Sequence, residues 1–137
     1  MAQTRNRAGL LSILAVFVMG FAACDGDIGI GPVNQLEVTN AADNFQFQVS
    51  AMESVSETLS YTWQNSGTQA TIDISQAITS GSAILTIRDA NGTTVHQEDI
   101  AEDNDTDTAV GVAGSWSIEV EIESATGTFN FRVQTTT

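Results

Sequence analysis

The sequence has no lysine and only one cysteine, one histidine and one proline among its 137 residues, and each scarcity closes off a class of chemistry. Four arginines face seventeen acidic residues, giving a formal net charge of −13. Binding nucleic acid requires clustered arginine and lysine to neutralise phosphates, so no nucleic-acid partner is expected. A single cysteine, Cys24, allows no internal disulfide, and with His96 as the sole histidine the usual ligand set of a zinc site is missing. A serine triad would have to be built on His96, oriented by Asp99, and no Gly-x-Ser-x-Gly stretch accompanies it. No catalytic residue is assigned, and the chain is read as a non-enzyme. Paired carboxylates could serve glycoside hydrolysis, but in so acidic a chain the sequence singles out no pair.

What is present begins with a change of class at the N-terminus. Arg5 and Arg7 precede an apolar run from Gly9 to Ala23 that is interrupted only by Ser12. This is the pattern of an export signal. At about fifteen residues the run is shorter than the ~20 that a membrane-spanning helix needs. Its end, Phe21-Ala22-Ala23-Cys24, resembles the lipobox of bacterial lipoproteins. The resemblance implies cleavage before Cys24, lipidation of that residue and attachment to a membrane of the bacterial cell envelope. The expected organisation is a signal peptide over 1–23, a lipidated cysteine and tether over 24–35, and one domain over 36–137. The tether assignment rests on Gly26, Gly29, Gly31 and Pro32.

Beyond the tether the hydrophobic period is two. Leu36 and Val38 open the pattern, followed by Phe45, Phe47, Val49 and Ala51, then Leu59, Tyr61 and Trp63. It continues through Ile72 and Ile74, Leu85 and Ile87, the set Trp116, Ile118, Val120 and Ile122, and finally Phe129, Phe131 and Val133. Alternation of this kind marks antiparallel strands with one buried face. The expected fold is an all-β, jelly-roll-like antiparallel β-sandwich in which two such faces bury each other. One hairpin can be placed in register. Asn91-Gly92 signals a turn, and a three-residue loop, Ala90 to Gly92 with Gly92 left-handed, pairs Ile87 with Val95 and points His96 outward.

The segments Ala113-Gly114-Ser115-Trp116-Ser117-Ile118-Glu119-Val120 and Thr126-Gly127-Thr128-Phe129-Asn130-Phe131-Arg132-Val133 resemble the closing strand pair of bacterial pre-peptidase C-terminal domains. That resemblance covers roughly residues 70–134 and implies a non-catalytic β-sandwich associated with export. By parity, all seven aromatics after Cys24 fall on apolar stripes, so they are expected in the core rather than on a sugar-stacking surface. The functional reading is a membrane-anchored binding or structural module with an envelope protein or glycan as partner. A carbohydrate-binding protein, or a small hydrolase using carboxylates, is the alternative.

Calcium is the one candidate cofactor. Glu102-Asp103-Asn104-Asp105-Thr106-Asp107 is rich in oxygen ligands, and Asp103, Asp105 and Asp107 could converge on a hard cation if the run curls. It is not an EF-hand. Counting from Asp103, the sixth and twelfth positions hold Thr108 and Gly114 where such a loop needs glycine and glutamate. The competing expectation is a solvated acidic loop.

Overall fold

The computed structural model describes residues 29–137. The expected signal peptide, Cys24 and the expected tether as far as residue 28 lie outside the described residues. A short 3-10 turn, Pro32–Asn34, leads into β1 (Glu37–Ala41), β2 (Asn44–Asn65), β3 (Ala70–Arg88), β4 (Thr94–Asp99), β5 (Asn104–Asp107) and β6 (Gly114–Thr135). All pairings are antiparallel. The strand order is β1-β2-β6-β3-β4, and β5 adds to the other half of β3.

The three long strands do not run straight. Extended at ~3.3 Å per residue, β2 would span about 70 Å. Instead its ends meet: Asp43 N donates to Gln64 O at 2.9 Å, and Trp63 Nε1 donates to Ala41 O at 3.0 Å. The sheet folds back on itself along a line of register shifts at residues 49–57 of β2 and 78–82 of β3, opposite residues 122–127 of β6. Along that line Ala51, Ser54, Gly81, Ser124 and Gly127 all take positive φ. At Gly127 a β-carbon would collide with the Ala77 carbonyl of the neighbouring strand. Glycine is therefore required where the bend brings two backbones together.

Folding the sheet in half produces the sandwich. One layer contains β1, the first half of β2, the second half of β6, the first half of β3, and β5. The other contains the second half of β2, the first half of β6, the second half of β3, and β4. Side chains of alternating parity from both layers form one core. Phe45, Phe47, Phe129 and Phe131 stack at 5.1–5.9 Å from the β1 layer, and Tyr61 from the β4 layer meets Phe45 at 5.3 Å. Trp63 and Trp116 cross edge to face at 6.0 Å. The all-β sandwich is thus the fold, and six of the seven aromatics are buried with Tyr61 partly so.

Several local expectations are corrected. Ala51 does not continue the Phe45-Phe47-Val49 face: it lies exposed at the bend with φ 48, and Met52 takes the core position. Leu36 and Val38 are more than a third exposed because β1 is an edge strand. The described part of the presumed tether is docked rather than loose. Ile30 N donates to Glu57 Oε2, Asn34 Nδ2 donates to the carbonyls of Ser50 and Ala51 at 3.2 and 3.0 Å, and Asn34 is buried. The Ala90–Gly92 loop forms as expected, with Asp89 N bonded to Thr93 O and Gly92 at φ 78. The pairing beyond it does not. A bulge at Val95 slips the register, so Ile87 faces His96 instead of Val95, and both Val95 and the His96 side chain are largely covered.

Candidate functional site

The outer face of the β1 layer carries its polar residues in two cross-strand rows. One row runs Glu37, Gln48, Asn130 and Ser75, and the next runs Thr39, Gln46, Arg132, Asp73 and Asp105. The alternation that sends Phe45, Phe47, Phe129 and Phe131 inward sends Gln46, Gln48, Asn130 and Arg132 out. These rows line a groove of about 280 Å³ whose walls include Glu37, Thr39 and Asp73. Such a volume sits at the small end of ligand sites. Two other depressions lie at the ends of the sandwich, one beside Asp43 and Asn65 and one beside Asn34 and Ala51.

Charge in the groove is nearly balanced. Arg132 Nη2 donates to Asp73 Oδ2 at 3.0 Å, both side chains being about half exposed. Asp105 follows Asp73 in the same row, and a hydrogen bond to the Asp73 carboxyl raises its pKa above the ordinary 3.8, aided by repulsion between the two charges. The two carboxyls sit on directly paired residues of neighbouring strands.

The acidic run is not a loop over its whole length. Asn104–Asp107 forms β5, which places Asp105 and Asp107 side by side on the outer face, opposite Asp73 and Thr71. Asp107 accepts a bond from Thr71 Oγ1 at 2.8 Å, and Asp103 accepts one from Gln76 N at 2.8 Å. The strand thus sets Asp105 and Asp107 along its length with Asp103 just before it, each against its own protein partner. Among the described residues no group of three acidic, histidine or cysteine side chains is arranged to hold a metal.

His96 does not point outward, as its sequence register implied. Its Nε2 lies 2.8 Å from Glu98 Oε1, with side-chain exposures of 13% and 20%, and Asn104 Nδ2 donates to Glu98 Oε2 at 3.0 Å. The bulge at Val95 accounts for this, since it returns His96 to the face of Ile87. Asp99 is three residues on and faces the opposite side of β4, so it does not orient the imidazole. The network instead ties β4 in one layer to β5 in the other.

Two features escaped the sequence. Asp89 is buried beneath the β3–β4 hairpin, where it accepts bonds from the backbone N–H groups of Asn91, Thr93 and Val112. An aspartate two residues before Asn-Gly is a signal for this kind of turn. At the same end of the sandwich, Asp43 accepts from Ser66 N and Ser66 Oγ, with Thr135 Oγ1 2.8 Å away, and these bonds hold its carboxyl below the usual range.

No family model matches the chain, and no curated protein matches it. Solved structures resemble it at low identity. A CBM4 carbohydrate-binding module aligns with a TM-score of 0.38 and 11% identity over 75% of this chain and 79% of its own. An arabinose-bound α-L-arabinofuranosidase aligns at 0.37 and 15% over 73% of this chain, and a glycosylation-associated protein complex from Streptococcus agalactiae at 0.36 and 10% over 80%. This chain spans 22% and 42% of the length of those two. Similarity this low bears on neither ligand nor activity.

Proposed function

We infer that the protein is a non-catalytic binding module of the bacterial cell envelope, held to a membrane by lipid on Cys24. The observation that carries the binding role is the groove on the β1 layer, where outward side chains from four strands form a preformed hydrogen-bonding surface on a rigid sheet. The anchor is supported by the apolar run ending directly before the only cysteine. Four residues separate Cys24 from Gly29, a reach of under about 20 Å even fully extended. Because Ile30 and Asn34 dock beside the bend of the sheet, the bend end would face the bilayer and the loops at the other end would face away.

The anchor is tested by expressing the full chain and its Cys24→Ser variant with a clickable fatty-acid analogue. Label is expected on the wild type alone. Equal incorporation into the variant would refute the lipid anchor.

A further inference from the structure

We propose that the groove takes a neutral polyhydroxylated chain, an uncharged oligosaccharide, laid across β1, β2 and β6. This deepens the binding reading and rests on the groove being the binding surface. The first reason is the donor and acceptor pattern. Gln46, Gln48 and Asn130 are exposed on adjacent strands, and each carboxamide offers both an N–H donor and a carbonyl acceptor. A sugar hydroxyl likewise donates and accepts, so each amide can exchange both kinds of bond with it. Gln48 and Asn130 are directly paired across β2 and β6, as are Gln46 and Arg132, at a strand spacing of ~4.7–4.9 Å. That spacing is close to the repeat of an extended pyranose chain, so successive sugars could meet successive strands.

The second reason is charge. Arg132 is compensated by Asp73, Glu37 adds one negative charge at the rim, and the chain as a whole carries −13. An acidic polysaccharide or phosphate-bearing ligand would be repelled. On the opposite outer face the two carboxamides, Gln64 and Gln97, stand in separate rows, and Glu119, between Ser60 and Thr86, and Glu121, between Thr58 and Ile84, take the places that the amides hold in the groove. The third reason is the absence of apolar anchorage. Phe47 and Phe131 lie beneath the floor with 1% and 2% of their surface exposed, so they offer no ring to stack on and no pocket for an apolar side chain. Recognition must therefore run through hydrogen bonds, which excludes a lipid or apolar peptide and leaves a polar chain whose groups match the amides.

The test uses the isotope-labelled full chain in detergent micelles, titrated with neutral hexasaccharides of glucose, mannose, xylose and N-acetylglucosamine. A hexasaccharide of galacturonic acid is the charge control, and a glutamine-rich peptide is the control for recognition of other polar chains. At least one neutral sugar is expected to shift the backbone signals of Gln46, Gln48, Asn130 and Arg132. Its affinity should fall about tenfold or more in the Gln46→Ala, Gln48→Ala double variant, through loss of two or more hydrogen bonds. Glu119→Ala on the other face should leave it unchanged. Neutral sugar binding that shifts other residues would overturn the groove as the site. Groove shifts with the acidic sugar or the peptide but with no neutral sugar would overturn the ligand class, and no shift with any probe would overturn both.

Discussion

Replacing Trp116 by alanine tests the core at the point where the β2–β6 pair of the β4 layer and the loop before β6 depend on one side chain. Trp116 is 1% exposed, crosses Trp63 edge to face at 6.0 Å and donates from Nε1 to Val112 O at 2.7 Å. Removing a buried tryptophan typically costs about 3–5 kcal/mol through lost transfer energy and the cavity left behind. The lost indole bond, worth about 0.5–1.5 kcal/mol, and the aromatic pairing place this site in the upper part of that range. Against a total stability of about 5–15 kcal/mol this is a large fraction. In urea, with a slope of about 1–3 kcal/mol per molar, the midpoint should fall by about 2 M. Trp63 remains as the fluorescent reporter, and circular dichroism gives an independent reading. Trp116→Phe should recover part of the loss, since it keeps a ring against Trp63 but no donor for Val112. A loss below about 1 kcal/mol in the alanine variant would mean that the two layers do not close over this residue as described.

The bend and the surface carboxylates give further expectations. Gly127→Ala should destabilise strongly because φ 131 disfavours any side chain and the new β-carbon meets the Ala77 carbonyl; an unchanged melting temperature would refute the close approach. Asn34→Ala should expose the sites where residues 30–34 dock, read as faster proteolysis near the N-terminus and faster amide exchange at Ile30, whereas unchanged exchange would contradict the docking. Asp43 and Asp105 should have opposite pH signatures. The lowered pKa of Asp43 contributes stability above its unfolded value that is lost as pH falls, so Asp43→Asn should be less stable than wild type near neutrality and lose that deficit in acid. The raised pKa of Asp105 contributes stability that is present in acid and lost as pH rises through its folded value, so Asp105→Asn should gain on wild type as pH rises from about 4, the ordinary carboxylate range, through that raised value. Melting curves that run parallel to wild type below about pH 4 for Asp43→Asn, or above it for Asp105→Asn, would refute the respective assignment.

Most of the core was legible because a half-buried strand writes its burial into every second residue. Phe45, Phe47 and Val49, and likewise Trp116 through Ile122, occupy the interior as their parity requires. What parity cannot show is where it breaks. At Ala51, Ser54 and Ser124 ordinary residues take positive φ, and nothing in Ser-Ala-Met-Glu-Ser marks a bend as glycine would. The strands were therefore read as separate short elements, although β2 and β6 run unbroken through the fold line. A single bulge had the same effect at β4, where the turn was placed correctly but one extra residue at Val95 moved His96 from the solvent side to a partner on Glu98. Bulges are local and cost the sequence only one residue, so a periodic reading passes over them.

The groove was invisible for a different reason. Its members are the polar residues between the apolar ones, and in a single strand Gln46 or Asn130 is indistinguishable from any solvated position. Only strand order gives them a common address. Residues 46 and 132 lie far apart in the chain, yet β2 and β6 pair them directly, and β3 brings Asp73 to the other side of Arg132. The acidic run behaved inversely: conspicuous in sequence, it was spread out by β5, which turns Asp105 towards Asp73 and leaves Asp103 bonded to the backbone of Gln76. A cluster in sequence became a row in space, and scattered amides became the cluster. Chemistry on a sheet belongs to the face rather than the segment, so the positions to vary in this protein are those that share a row across strands.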